Sequence, residues 1–294
     1  NVAVGSIALD ANTTGERNTA LGYATLTDNS TGVKNTAVGM SALENNTTAD
    51  NNTAVGNNCM VSNTTGAENV ALGAEALDSN TTSNYNTAIG YAAGKNNTSG
   101  GPWTFVGWQA GFNKGDGGSG NGTAVGYQAL YASGGPLRNT AVGYQALYNT
   151  TNFGDNNTGD GHEALKANTS GVKNIAIGTY ALISNTTGDR NIGIGYQALK
   201  FCTTGENNVC IGNDAGNGIT TGTGNIFIGK GVADGGSFST GSNNIIIGVD
   251  SNPSLSDQTN ELKLGNGSTS VFRCNVQTIS TLSDERDKTD IVDI

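Results

Sequence analysis

The chain has 294 residues, 45 of them glycine and only three proline, and carries a formal net charge of −10 with 14 Lys and Arg spread along it. That acidic balance lacks a phosphate-neutralising surface and argues against nucleic acid as a partner, and no run of eighteen apolar residues exists to insert into a membrane. With a single histidine and four cysteines, none of them in CxxC spacing, a His-based triad, a His-rich zinc site and any other metal or cofactor centre fall away.

From the first residue onward one phrase dominates, cleanest at Asn139–Leu147 as NTAVGYQAL. Its glycine recurs at Gly5, Gly22, Gly39, Gly56, Gly73, Gly90, Gly107, Gly126, Gly143, Gly161, Gly178, Gly195, Gly212, Gly229, Gly248 and Gly265. The interval is 17 residues, with two exceptions of 19 and one of 18. So short a copy cannot enclose a core alone, and it is too short for the helix pairs of helical repeats. It matches one coil of a parallel β-helix or β-roll, and sixteen coils at about 4.8 Å each predict a shaft roughly 75 Å long. The fixed places of Val, Ile, Leu and Ala separate this ordered reading from a disordered one. Asn1 begins inside a repeat without a basic-then-apolar leader, so the chain is expected to start as a cut through a longer one.

Within a copy, numbered one to nine from the Asn of NTAVG, position four is apolar in fifteen of sixteen cases and β-branched in most, from Val4 through Ile177 and Ile194 to Leu264; Asp160 is the exception. This half predicts a short strand with position four pointing inward. Ala at position eight (Ala42, Ala146, Ala198) and Leu at nine (Leu43, Leu147, Leu199) complete a thin core. The glycine at position five is expected to adopt a backbone geometry that a Cβ forbids, or to let another chain approach closely. After Leu comes a polar turn, often NTTG as at Asn12–Gly15, Asn63–Gly66 and Asn185–Gly188, whose stacked asparagines can hydrogen-bond along the column. Cys59 and Cys210 replace alanines and read as buried, reduced thiols.

The rhythm changes around Trp103–Gly120 and again at Gly235–Ser242, each with two extra residues. Insertions in a solenoid go to the outside and often to the binding face, which makes Trp103, Trp108 and Phe112 the candidates for receptor or sugar contact; the competing reading has these aromatics filling space left by a lost Leu. Position six carries Tyr23, Tyr91, Trp108, Tyr127, Tyr144 and Tyr196, a column expected to pack against a neighbouring chain. Asp155 and Asp160 lie near His162 and read as a surface loop rather than an ion site. The repeats offer no recurrent carboxylate pair for glycan hydrolysis. Residues 1–265 thus form the repeat solenoid, 266–282 a non-repeat β segment, and 283–294 a charged ending.

The N-x-A-[VIL]-G phrase resembles the head repeats of trimeric autotransporter adhesins, and the same kind of repeat is found in phage tail fibres. The ending SDERDKTDI, Ser283 to Ile291, resembles the opening of the intramolecular chaperone domain of endosialidase-type tail spikes. That resemblance implies an all-β, left-handed parallel β-roll assembled as a homotrimer, in a virion tail put together in the host cytoplasm. It implies partners in a host-surface glycan or protein receptor and in other tail proteins, with no cofactor. It also implies one single-turnover reaction, self-cleavage before the Asp of the motif with Ser283 as nucleophile and Lys288 as base; otherwise the chain is not expected to be an enzyme. A bacterial adhesin head on the cell surface is the alternative. An ice-binding solenoid is a third reading, drawn from Thr19, Thr36, Thr53 and Thr87, and it is weakened by Ala at position three.

Overall fold

The computed structural model describes residues 1–113, 120–132, 134, 138–151, 153–234, 238–255 and 257–269. It is a β-solenoid of about fifteen turns with rungs of about 17 residues. Sixteen strands, β1 (Val2–Val4) to β16 (Leu262–Leu264), form one sheet in chain order, and no helix occurs among the described residues. Each strand runs parallel to the next, with side chains one period apart in register: Val2 on Thr19, Ala3 on Ala20, Val4 on Leu21. Val142, Asp160, Ile177 and Ile194 therefore stand in a single column. The intervals of 19 leave this intact, since Val106 pairs with Val125 and Ile228 with Ile247.

The strands are three or four residues long because the glycine ends them. Gly143 has φ 127°, and a Cβ built on it would lie 2.5 Å from the carbonyl oxygen of Gly161 in the next rung. The expected backbone geometry is present, and the close approach is by the next rung of the same chain, in place of the separate chain expected from sequence.

The interior corrects the assignment of position four. Strand side chains alternate between faces, and the buried one is position three: Ala20, Ala37, Ala141 and Ala176 are fully buried, whereas Ile177 is 39 % exposed. The asparagine at position one turns inward with position three, while Thr at two and Val or Ile at four face out. Ala at eight and Leu at nine are buried as expected, so a rung's core is one small strand residue facing Ala and Leu across the coil.

Two polar columns tie the rungs together. At position one, Asn35 Nδ2 donates to Ala49 O (2.8 Å), and its Oδ1 accepts from the Asn52 backbone N–H (2.9 Å). The pattern runs from Asn1 to Trp103 and resumes from Asn139 to Glu261. In the turns the expected amide ladder is present: Asn29 donates to Asn12 (2.9 Å), Asn46 to Asn29 (2.9 Å), Asn63 to Asn46 (3.0 Å) and Asn80 to Asn63 (2.8 Å). A second stretch ends at Asn185, whose Oδ1 is buried without a partner, because Cys202 stands where the next amide would donate. Every link satisfies a buried amide that would otherwise cost about 1–3 kcal/mol.

Gly143→Ala is therefore expected to destabilise the rod far more than Thr140→Ala on the exposed strand face, where substitutions stay within about 0.5 kcal/mol. Leu147→Ala should cost about 2–5 kcal/mol through its cavity. Chemical denaturation of the three variants, followed by far-UV circular dichroism, ranks them; equal midpoints for Gly143→Ala and Thr140→Ala would refute the close-approach explanation.

Candidate interaction surface

Because positions two and four both face out, the sheet presents a strip of apolar side chains along its whole length. Leu72, Ile89, Ile177, Ile211, Ile228, Ile247 and Leu264 at position four are exposed, joined at position two by Val70, Ile175, Ile245 and Leu262. Scattered exposed aliphatics are ordinary, but a continuous patch beyond a few hundred Å² marks a contact surface.

Beyond the glycine, position six adds a column of rings. Tyr91, Trp108, Tyr127, Tyr144 and His162 stack in series, with centroids 6.0, 4.8, 5.1 and 4.9 Å apart and planes within 22°. Tyr180 then meets His162 edge-on at 5.3 Å. The spacing is that of the rungs, so the stack follows from the period and from offset packing of ring quadrupoles. Trp108 is 40 % exposed, yet both its faces are covered, by Tyr91 and by Tyr127, and what it offers outward is an edge.

A third set of columns runs beside the rings on the same rungs. Gln128 donates to Gln109 (3.0 Å) and Gln145 to Gln128 (2.9 Å) at position seven. At position ten Phe112, Tyr131 and Tyr148 stack at 5.2 and 5.0 Å. Lys95 and Lys166 close this column at its ends, bound to Glu75 (2.7 Å) and Glu163 (2.6 Å). Tyr131, Tyr148 and the glutamines were not singled out from sequence, although Gln and Tyr recurring at one period were the available signal. Burial raises the Tyr148 hydroxyl pKa, helped by the neighbouring Tyr131, so the Tyr148 hydroxyl stays a protonated donor at neutral pH.

The three aromatics proposed for sugar contact do not form one site. Trp103 is 1 % exposed and lies flat against Phe105, with centroids 5.5 Å apart. Its ring belongs to the core. Phe105, at position three, occupies the space that Leu fills elsewhere: a Cβ on Gly94 or Gly111, the position-nine residues beside it, would collide with its ring. For these two rings the space-filling reading is the correct one. Trp108 and Phe112 are accessible but stand in different columns.

Asp155 and His162 do not converge either. Burial pushes the Asp155 carboxyl up, but hydrogen bonds from the Arg138 side chain, the Arg138 backbone N–H (2.7 Å) and the Asn156 backbone N–H (2.8 Å) outweigh it and hold the pKa below the ordinary value. Asp160 and His162 flank Gly161 and are both exposed. Ser283 and Lys288 lie outside the described residues, as do most of segment 266–282 and Cys274.

Cys59, Cys202 and Cys210 are buried and free. Burial pushes the Cys59 and Cys202 thiols up to about 12, and Cys210 well above its usual value. All three stay protonated at neutral and mildly alkaline pH, which removes the nucleophilic thiolate. No protein-family model, no curated protein and no solved structure matches the chain.

An aromatic disulfide reagent at pH 8 should label none of these three thiols in the folded rod and all three after denaturation. Rapid labelling of Cys59 or Cys210 before unfolding, located by peptide mass mapping, would contradict the burial described.

Proposed function

We propose that this chain is the shaft of a phage tail fibre or tail spike, working as a homotrimer that attaches to a host surface or holds a receptor-binding tip away from the virion. The observation that carries this reading is the exposed apolar strip of positions two and four with the ring column at position six. A stable interface buries roughly 800 Å² per partner, and a strip that spans sixteen strands has the length to supply it. The rigid, repetitive rod suits a spacer, since its length scales with the number of rungs and each rung contacts only its neighbours. Order three, the tail assignment and a host-surface glycan or protein receptor rest on the resemblance of the repeat and of the SDERDKTDI ending.

The assembly reading is tested by native mass measurement, with three times the 29.8 kDa chain mass as the expected species. Ile177→Asp with Ile194→Asp places charge in the strip and should drive the protein to single chains while its β circular dichroism is retained. A single-chain mass for the natural sequence rejects the trimer, and an undisturbed trimer in the double variant moves the seam elsewhere.

The self-cleavage role of Ser283 and Lys288 has its own test. Expressed with whatever sequence its gene encodes downstream, the chain should yield a product ending at Ser283, and Ser283→Ala should remain whole. Intact mass spectrometry distinguishes the two, and cleavage persisting in Ser283→Ala removes the serine from the reaction.

A further inference from the structure

A seam built from sixteen near-identical rungs has a register problem. Sliding one copy along another by a single rung leaves all but one rung matched, and the apolar strip looks almost the same after the slip. Long repetitive interfaces are held in register by rare polar residues that are satisfied in one alignment only. The strip contains one such place. In the position-four column Asp160 stands between Val142 and Ile177, and it is the only charged residue at that position in the chain. Two residues on, His162 is the only histidine. Its ring is fixed at that level by the stack on Tyr144 (4.9 Å) and the edge of Tyr180 (5.3 Å).

We propose that the rung carrying Asp160 and His162 is the register key of the assembly, a point where a second copy of this chain fits only when like rungs lie level. This rests on the homotypic assembly proposed above. An ionised carboxylate only accepts hydrogen bonds, whereas an imidazole donates and can take a positive charge. In level packing each copy brings one of each to the seam, so every carboxylate gathered there has an imidazole as its partner. A slip by one rung sets Asp160 beside Val142 or Ile177 of the neighbour and leaves only the neutral hydroxyls of Tyr144 or Thr179 within its reach. The slipped alignment thus leaves the carboxylate facing an apolar side chain of the neighbour, and the level one sets the neighbour's imidazole beside it.

The test replaces the key with its neighbours' residues, Asp160→Val and His162→Tyr, which continue the columns of Val142 and Tyr144. Two differently tagged chains, one Val125→Cys and one Val142→Cys, both with Cys274→Ser, are co-assembled and mildly oxidised; the remaining cysteines are buried. In level packing like cysteines face each other across the seam at about 5.5 Å, whereas unlike cysteines are also offset by one rung of about 4.8 Å, which puts them about 7.3 Å apart and beyond disulfide reach. With the natural key, like disulfides should outnumber unlike ones by about tenfold, and without it the unlike fraction should rise several-fold. An unlike fraction that is unchanged or falls, while native mass still shows multimers, overturns the key and leaves the assembly reading standing. A single-chain mass for the natural protein overturns both.

Discussion

Everything in this rod depends on each rung being covered by the rung before and the rung after. The coil is so thin that its interior holds only a strand residue, an Ala and a Leu, and it has no depth of core on which a globular domain relies. The connection between rungs is therefore polar as much as apolar. Asn35 illustrates it: one side chain accepts from the backbone of the following rung and donates to a turn carbonyl of that rung, clamping strand and turn together. Fully paired, such networks fix one geometry; left incomplete, they are costly, as the unpartnered Asn185 oxygen beside Cys202 indicates.

The same thinness explains how the sequence drifts without breaking the fold. Protein interiors are close-packed, and a change of one methylene is felt, so positions three and nine have to trade volume. The commonest arrangement, found in seven rungs, sets Ala at position three against Leu at position nine. In the rung where position nine is Gly111, position three is Phe105, whose ring also fills the space beside Gly94 of the rung before, and where position nine is Gly216, Cys210 takes up the room. One solution, repeated seven times, is thereby mixed with several alternatives, and strand register passes through them unaltered.

How much of this was legible in advance divides along physical lines. The period, the strands, the inward Ala and Leu of the second half, the constrained glycine and the turn asparagine ladder all follow from local rules that one copy obeys alone. Position four did not follow, because hydrophobicity was taken for burial. Strand alternation puts Asn and Ala on one face and Thr and Val on the other, and in this coil the smaller side chain goes inside because there is no room for the branched one. Trp103 was misplaced for the related reason that an aromatic beside an insertion was read as surface, when Gly122 of the next rung leaves room for its ring and Gly94 and Gly111 leave room for Phe105 stacked on it. The ring and glutamine ladders could have been found by reading down each column in place of along each copy.

That reversal gives the outer surface its meaning. A coil of 17 residues closes only by placing ordinary residues in the left-handed region, for example Gln145 (φ 50°), Leu147 (φ 52°) and Arg190 (φ 56°), at roughly 1–2 kcal/mol each. Against this and against backbone entropy, a core of two alanines and a leucine per rung is a small apolar return, and folds with cores too small for their length commonly add oligomerisation. The branched residues that the interior cannot hold are the ones left facing solvent in a strip that only the rung of Asp160 interrupts. Burying them against another copy completes the shelter from water that the coil begins, so the geometry that keeps Val and Ile outside a single chain is the same geometry that gives several chains a reason to lie side by side.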